Sequence, residues 1–518
     1  MLGMVNKGKR AALGLGMAFA LTALAGCGGG GEPANKPGSE ASGAKTPQPF
    51  KISVMIPSFQ TTLPKAESSN VWKKIEAYTN TKLDINFVPN SSYSDKMNIT
   101  LASGSMPMVI EADPKSPSII SAIQSGAFWE IGPYLKDYPN LSKANPTILN
   151  NISIEGKIYG IYRGRTLGRN GIVYRKDWLD NVGLQPPKTI DDFYNMLKAF
   201  TLDDPDKDGK NDTYGMVVTK FSGPWDNMQV WFGVPNKWGL DANGKLEPAH
   251  LFPQYMDALK FFRKLYSEKL VNSDFAVMDS AKWLDPVVNG QAGVIVDVAD
   301  NAGRLEQKMA TSDPKAVIDV TGSVEGPDGA LHNLPTSGYS GMFLISKSSV
   351  KTEDDLKKVL TFLDKMNDDD VQLLAGYGIE GVNYNIEDGK LVQVADDNPK
   401  PEDAFTDLNQ LLMFIPEDPT SKMFKPATPL RAKVSQVQKE NEKIIVPNPA
   451  EPLISKTYMQ KGAQLDNIIE DARIKFIVGQ IDEAGFQSAV ELWKKSGGDE
   501  YIKEINEAYA KAQAADGK

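Results

Sequence analysis

Apolar positions in the first part of the chain repeat with two different periods. The run KISVMI at 51–56 predicts a buried strand, and alternating apolar residues over 83–87 predict a half-buried one. Between them, apolar residues over 71–78 recur at helical spacing. A strand at 108–110 and a helix over 119–123 are predicted next. This order of strand, helix, strand, helix and strand predicts an α/β sheet with crossover helices.

The same periods return later and predict a second α/β unit. Thr189 is expected to cap a helix, with Asp192 at its third position completing a capping box. The last part of the chain, over 465–509, has helical spacing, interrupted at Gly497. Further strands are predicted at Gly156–Tyr162, Gly171–Tyr174, Gly293–Val298 and Gly341–Ser346.

The sequence before Cys27 has the pattern of an export signal. Three cations precede an apolar run, Ala11–Ala23, that is shorter than the about 20 residues needed to span a bilayer. Leu-Ala-Gly-Cys at its end resembles the bacterial lipobox, whose cysteine is lipidated and becomes the mature N-terminus. The alternative is an ordinary secreted protein with a stray cysteine. We expect residues 1–26 to be a lipoprotein signal peptide and 27–49, which lacks large apolar residues before Phe50, to be a disordered tether.

Composition limits the classes of binding partner that the mature chain can have. The net charge of −9 becomes −12 without residues 1–26, which carry three cations and no acid. Nucleic acid and anionic headgroups are therefore poor partners. Cys27 is the only cysteine, so no internal disulfide can form. No later apolar stretch approaches membrane-spanning length, so the lipid on Cys27 is the expected anchor, on the outer face of the cell membrane.

An acidic loop at 204–215, DPDKDGKNDTYG, predicts a calcium site. Its residues match an EF-hand loop at positions 1, 3, 5, 7 and 9, with Gly209 at position 6. Position 12 departs from the pattern, because Gly215 replaces the bidentate Glu. The alternative is a solvated acidic turn. The expected ligands are Asp204, Asp206, Asp208, the carbonyl of Lys210 and Asp212.

Four segments together resemble a known family, the extracellular solute-binding proteins of family 1, which are oligosaccharide-binding lipoproteins of bacterial ABC importers. The resemblance extends over nearly the whole mature chain and is closest to a Gram-positive lipoprotein branch. Met108 departs from the family pattern, which usually has Asp after the proline. The segments are Leu101–Ile131, Gly156–Phe200, Tyr377–Lys390 and Leu492–Glu504.

The resemblance implies a two-lobe α/β fold of the type II periplasmic-binding-protein class, with several crossovers between lobes. Lobe one would comprise 50–162 and 297–340, and lobe two 163–296 and 341–518. An oligosaccharide would bind in the cleft and be delivered to membrane permease subunits, and closure would depend on contacts to both lobes. The protein is expected to be a monomer.

Aromatic residues are candidates for the sugar site, because sugar rings present flat C–H faces to aromatic rings. Most tryptophans in a protein of this size lie in the core instead. Phe59 and Tyr93 follow early strands, and Asp113 is placed where the resemblance implies an acceptor for a sugar hydroxyl. The tryptophan candidates are Trp129, Trp225, Trp231, Trp238 and Trp283.

The predicted crossovers supply the remaining candidates. Arg163 and Arg169 crowd the first crossover beside Asn170, and planar guanidinium donors there would select an acidic sugar. The alternative for these arginines is a set of hinge salt bridges. Asp297 and Tyr339 lie near the expected return of the chain and complete the ligand-binding set.

Two alternative functions are compatible with part of these features. A surface-anchored carbohydrate-active enzyme would need paired carboxylates, which are a spatial feature that one sequence does not show. The chain has two histidines, His250 and His332, and no HExxH, GxSxG, P-loop or dinucleotide motif, so no catalytic residues and no catalytic cofactor are expected. A peptide-binding importer lipoprotein would keep the fold and change the ligand.

Overall fold

The structure, a computed structural model, describes residues 49–59, 69–394, 400, 402, 404–415, 424–426 and 428–516. The predicted signal peptide, the lipidation site Cys27 and the tether up to residue 48 lie outside these residues. The strands are β1 (Phe50–Ser58), β2 (Thr81–Pro89), β3 (Val109–Ala112), β4 (Gly160–Gly164), β5 (Asn170–Arg175), β6 (Tyr214–Met216), β7 (Trp238–Leu240), β8 (Leu246–Pro248), β9 (Ala292–Val298), β10 (Ile318–Thr321), β11 (Tyr339–Ile345), β12 (Tyr384–Glu387) and β13 (Lys390–Gln393).

Helices begin where the sequence supplies caps. Thr189 accepts a hydrogen bond from the Asp192 amide, and the Asp192 side chain accepts from the Thr189 amide, so the predicted capping box is confirmed. The helices are α1 (Asn70–Thr79), α2 (Tyr93–Ser103), α3 (Pro117–Gln124), α4 (Pro146–Ile152), α5 (Lys176–Asn181), α6 (Ile190–Leu202), α7 (Gly223–Trp231), α8 (Pro253–Ser267), α9 (Asp285–Val288), α10 (Asn301–Ser312), α11 (Glu353–Lys365), α12 (Asp369–Tyr377), α13 (Pro429–Asn441), α14 (Lys456–Ile477), α15 (Glu483–Trp493) and α16 (Asp499–Asp516). Within the described residues, no helix is both long and apolar enough to cross a bilayer.

Lobe one is built on a five-stranded sheet in the order β2-β1-β3-β11-β4. Strand β1 is parallel to β2 and β3, as expected for strands joined by crossover helices, whereas β11 is antiparallel to β3 and β4. Apolar residues of this sheet pack with α1, α3, α11 and α12 in one continuous core.

Lobe two is built on a four-stranded sheet in the order β10-β5-β9-β6. Strand β9 is parallel to β6 and antiparallel to β5. One core cluster joins this sheet to α6, α7, α8, α14 and α15, and a second joins it to α10 and α13. Helices thus cover both faces of the sheet, and the two-lobe α/β fold is confirmed.

The predicted lobe boundaries differ from this arrangement in two places. Strand β10 and the end of β9, assigned to lobe one as part of 297–340, pair with β5 in lobe two. Strand β11 and the helices α11 and α12, assigned to lobe two within 341–518, belong to the core of lobe one. The reason is that strand partners are nonlocal, and an apolar run such as β11 suits either sheet equally well.

Two connections between the lobes lie wholly in the described part of the chain, 164–170 and 321–339. A Cβ atom on Gly168 would lie 2.3 Å from the carbonyl oxygen of Gln438, so only glycine fits between the first connection and α13. Asn441, at the end of α13, donates to the Gly168 and Asn170 carbonyls at 3.1 and 2.6 Å. The hinge is therefore a packed bundle of connections.

Candidate functional site

A cavity of about 360 Å³, here called the cleft chamber, lies between the lobes. Helix α4 forms its lobe-one wall with Thr147, Asn150 and Asn151. This helix starts at Pro146 behind an Asn145 cap, whose side chain accepts from the Thr147 and Ile148 amides. Its apolar residues enter the core of lobe one, so the polar residues of α4 are left facing the cleft.

The floor of the cleft chamber comes from two connecting segments, 334–337 and 445–451. The Pro-Asn-Pro sequence at 447–449 stiffens the second segment. Its Glu451 binds lobe one twice, because Lys115 Nζ donates to the Glu451 carbonyl at 2.5 Å and the Tyr339 hydroxyl donates to its carboxylate at 3.3 Å. Burial lowers the pKa of Lys115 despite the nearby Glu451 and Asp113 carboxylates.

Helix α7 forms the lobe-two wall of the cleft chamber with Asp226 and Gln229. Asp226 accepts from Arg473 Nη1 and from the Ser222 hydroxyl, both at 2.7 Å. Burial opposes the charge of Arg473, but Asp226, Tyr255 and the neighbouring Glu470 outweigh it and raise the arginine pKa. A buried guanidinium thus fixes the Asp226 carboxylate at the wall of the site.

A second cavity of about 410 Å³, the lobe-two chamber, adjoins the first. Both chambers are lined by Asp226, Gln229 and Lys237. The other walls come from lobe two alone, chiefly α14, the β7–β8 hairpin and the start of α8. Its aromatic lining consists of Trp238, His250, Tyr255, Tyr458, Trp493 and Tyr501.

His250 makes the stability of this region depend on pH. Its ring packs edge-on against the Trp493 ring, with 4.5 Å between the ring centroids. Burial lowers the His250 pKa to about 3. In the unfolded chain the histidine pKa is about 6.5. Between about pH 6.5 and 3 the unfolded state therefore binds more protons than the folded state. The free energy of unfolding falls as the pH drops through this range, by at most about 1.4 kcal/mol per pH unit. In denaturant unfolding at pH 7, 5 and 4, we expect His250→Gln to lose less stability than the wild type.

His332→Gln is the matched control for this prediction, since it replaces the other histidine, which pairs with the exposed Asp328. This control should lose stability with acidification as the wild type does. Equal pH slopes for the wild type and His250→Gln would contradict a buried neutral imidazole.

Of the predicted ligand-binding residues, Trp238 lines one chamber and the others line neither. Trp238 forms part of the lobe-two chamber and lies edge-on to Tyr501 at 4.9 Å. Trp225 and Trp231 lie in the lobe-two core with 2% and 3% of their surface exposed, so neither offers a face to a ligand. Trp283 is also in a core, where its Nε1 donates to the Val217 carbonyl.

The lobe-one aromatic candidates lie elsewhere on that lobe. Trp129 donates from Nε1 to the Val350 carbonyl at 2.9 Å and packs against the core. The Tyr93 hydroxyl donates to the carbonyls of Glu111 and Met55, and burial raises its pKa. Phe59 is exposed. None of the three lines either chamber, and a contact with ligand stays a prediction for them.

The structure pairs both predicted arginines with acids, as the hinge alternative expects. Arg163 Nη1 lies 3.1 Å from Glu111 Oε1, and both side chains are buried. Arg169 Nε lies 2.9 Å from Asp300 Oδ2. Neither lines the two chambers, so the geometry does not support an acidic sugar held by these guanidinium groups.

The remaining candidates line neither chamber. The Asn170 amide donates to the Leu334 carbonyl at 2.7 Å, and Tyr339 contacts Glu451. The exposed Asp113 carboxylate accepts from the Lys115 amide. Asp297 accepts from Asn301 Nδ2, and burial raises the Asp297 pKa.

The acidic loop brings three of its predicted ligands together. Oxygens of Asp204, Asp206 and Asp208 lie within 4.8 Å of one another, and Asp212 is not part of that group. Burial and the neighbouring acids raise the pKa of Asp206. Lys210 Nζ pairs with Asp208 at 2.5 Å, and the role of the Lys210 carbonyl stays a prediction.

The missing twelfth ligand of the loop has a packing reason. A Cβ atom on Gly215 would lie 2.7 Å from the Cβ and carbonyl oxygen of Leu197 on α6. The Gly215 amide also donates to the Thr201 hydroxyl. A glutamate therefore cannot occupy this position, and any cation here would be bound by a shortened loop.

Sequence reasoning missed most of the chamber residues. Asn150 and Asn151 form a polar pair at the end of an apolar helix, and Asn448 lies between two prolines; both are signals that a polar face is held in place. Asp226, Gln229 and Lys237 have no such local signal. Their importance arises from α14, which contributes Arg473 from more than 200 positions away.

Comparison with known proteins places the chain in a family. The model of the family "Bacterial extracellular solute-binding protein" matches residues 61–373. The chain is 50% identical over 484 residues to Lipoprotein LipO of Bacillus subtilis, covering 91% of this chain and 94% of that protein. It is 40% identical over 444 residues to the polygalacturonan/rhamnogalacturonan-binding protein YtcQ of the same organism, covering 85% of this chain and 88% of YtcQ.

A solved structure shows the same fold at low sequence identity. The EF-hand mutant of the Streptococcus pneumoniae ABC-transporter substrate-binding protein FusA, in complex with fructo-nystose, has a TM-score of 0.64 and 19% identity, covering 90% of this chain and 100% of that one. The shared architecture is the type II periplasmic fold. With two lobes around a polar cleft, a family model that spans over half its length and a relative at 50% identity, this chain belongs to the bacterial extracellular solute-binding proteins.

Proposed function

We propose that this chain is the substrate-binding lipoprotein of an ABC importer, which binds an oligosaccharide between its lobes and passes it to membrane permease subunits unchanged. The observation that carries the proposal is the cleft chamber, in which Asn150 and Asn151 of lobe one face Asp226 and Gln229 of lobe two. Amides and carboxylates are suited to sugar hydroxyls, which both donate and accept hydrogen bonds.

The relatives support a carbohydrate as the ligand. YtcQ is named for binding polygalacturonan and rhamnogalacturonan, and the FusA structure contains fructo-nystose. Contacts from both lobes stabilise the closed form only when a ligand bridges them, which gives the permease a signal that the protein is loaded.

A thermal-shift screen with the mature chain tests this function. The probes are fructo-oligosaccharides, oligogalacturonides, rhamnogalacturonan fragments and, as the competing ligand class, a mixed tetrapeptide library. At least one saccharide series should raise Tm. At a saccharide concentration of one hundred times Kd, the folded state should gain about 2.7 kcal/mol of stability. Mass spectrometry should recover the bound saccharide at its original length. A shift with peptides alone, no shift with any probe, or shortened saccharides would contradict the proposal.

Attachment to the membrane would come from Cys27. The lipobox-like sequence and the lipoprotein name of the LipO relative support it. In cells supplied with a labelled palmitate analogue, the full chain should carry label in the membrane fraction. Cys27→Ser should carry none, and label on this variant would place the lipid elsewhere.

Calcium at the acidic loop is the second part of the proposal. Asp204, Asp206 and Asp208 offer converging oxygens, which suit a hard cation. The FusA structure is that of an EF-hand mutant, which supports an EF-hand-like site here. The loop lies between α6 and β6, and none of its residues lines either chamber, so its role would be structural.

Removal of calcium should lower the Tm of the mature chain. A cation that binds only the folded state at one hundred times Kd contributes about 2.7 kcal/mol. Its removal by EGTA should therefore lower the Tm of a chain of this size by about 3 °C. Asp206→Asn should no longer respond to EGTA, whereas Asp241→Asn, in another exposed acidic turn, should respond as the wild type does. A wild-type Tm insensitive to EGTA would argue against bound calcium.

A further inference from the structure

The lobe-two chamber adjoins the cleft chamber, but its lining comes from one lobe. The two cavities, about 410 and 360 Å³, share Asp226, Gln229 and Lys237 as lining residues. Each is large enough for part of a small ligand. Because the walls of the lobe-two chamber come from one lobe, its shape does not depend on closure, whereas the cleft chamber needs α4 from lobe one.

Gln229 lies where the chambers meet and has unused hydrogen-bonding capacity. Only 7% of its surface is exposed, and among the described residues its side chain has no hydrogen-bond partner. Buried amides in proteins are nearly always paired. A side chain that is more than nine-tenths buried and lines both cavities is therefore placed to bind a polar group that passes between them.

Two further buried polar atoms border the lobe-two chamber. Arg473 Nε and His250 Nε2 are both buried without a hydrogen-bond partner in the described structure. Both residues line the chamber, and Arg473 uses its other nitrogens for Asp226 and Glu470. These two atoms are covered within the chamber wall, so the polar contacts open to a ligand come from lining side chains such as Gln229, beside an aromatic wall that includes Trp238 and Tyr501.

The charges of the lobe-two chamber favour a neutral ligand. Lys237 and Arg473 are outnumbered by Asp226, Asp466 and Glu470, which leaves one negative charge in excess. Arg473 is already paired with two of these acids. A uronate carboxylate would meet repulsion from the acids, whereas uncharged hydroxyls can donate to them.

We propose that the lobe-two chamber is a preformed subsite for an uncharged terminal part of a linear oligosaccharide, whose following units pass Gln229 into the cleft chamber. This inference rests on the proposed function. It makes lobe two the lobe that captures the ligand, and it makes the ligand longer than a disaccharide. Lobe one then closes over the part of the chain that lies in the cleft.

Calorimetric titration of the mature chain with saccharide ladders tests the inference. The probes are fructo-oligosaccharides and fully methyl-esterified oligogalacturonides, from dimer to hexamer, and the same oligogalacturonides as free acids. Affinity for an uncharged ladder should rise by about tenfold or more between dimer and tetramer, which corresponds to one additional occupied subsite. The free acids should bind more weakly than their esters.

Two variants locate the effect. Tyr458→Ala, in the lobe-two chamber alone, should remove most of the gain in affinity with chain length. Tyr78→Ala, an exposed tyrosine of lobe one, is the matched control and should bind every ladder as the wild type does. Asp466→Lys should shift preference towards the free acids, because it replaces an acid of the chamber with a cation.

The outcomes separate the two proposals. Absence of binding by every ladder would overturn the proposed function. Binding that is independent of chain length, unchanged in Tyr458→Ala or tighter for the free acids would overturn the subsite and leave the function standing.

Discussion

Replacing Arg163 by methionine should lower the free energy of unfolding by about 3–5 kcal/mol, the cost of leaving a buried charge without its partner. Arg163 and Glu111 have 6% of each side chain exposed and lie 3.1 Å apart. The same guanidinium donates to the carbonyls of Leu412 and Asn409 at 3.2 and 3.3 Å. One side chain therefore ties β3, β4 and the segment before α13 together beneath the hinge.

The variant should also acquire a pH dependence of known sign. Burial raises the pKa of Glu111, and Arg163 opposes that shift. Without Arg163, the folded-state pKa lies further above the unfolded value, so the folded state binds more protons and stability falls as pH rises above about 4.5. Denaturant unfolding should show a larger loss at pH 8 than at pH 5.

Lys51→Met is the matched control for Arg163→Met. Lys51 pairs with Asp84 at 3.0 Å, but their side chains are 69% and 56% exposed. Surface pairs contribute about 0–1 kcal/mol, so this variant should stay close to the wild type. Similar losses in the two variants would mean that burial of the Arg163–Glu111 pair is not what stabilises the hinge.

Replacing Asp226 by alanine should lower stability by about 3 kcal/mol and weaken ligand binding together. Arg473, whose side chain is 8% exposed, would keep Tyr255 and the more distant Glu470, at 3.8 Å. The loss is therefore expected near the lower end of the range for an uncompensated buried charge. Ligand binding should weaken because Asp226 lines both chambers.

A double-mutant cycle separates the two effects of Asp226. Adding Arg473→Met to Asp226→Ala removes the orphaned charge and should recover much of the stability without restoring binding. Lys220→Ala, which breaks the exposed pair with Asp279, should change neither. Strictly additive stability losses in the cycle would contradict a direct interaction between Asp226 and Arg473.

The sequence was sufficient where structure depends on neighbours along the chain. The apolar run of β1 and the Thr189–Asp192 capping box are local patterns, and both form as predicted. The placement of β11 in lobe one was not predictable in this way, because its partners β3 and β4 lie well over 100 positions earlier.

The candidate site shows the same division. Trp225, Trp231 and Trp238 share one aromatic-rich stretch, and only the fold distinguishes the two that α7 buries from the one that reaches a chamber. The polar groups of Gln229 and Arg473 become site residues when α7 and α14 come together. A single sequence contains no local sign of that contact.

Hydrogen exchange with and without the saccharide found in the thermal-shift screen tests the central claim most directly, namely that both lobes hold one ligand. Bound ligand should slow amide exchange together in α4 at 146–152, in α7 at 223–231 and in the 445–451 segment, and the saccharide should be recovered at its original length. Protection confined to one lobe, protection away from these segments, or recovery of shorter saccharides would contradict it.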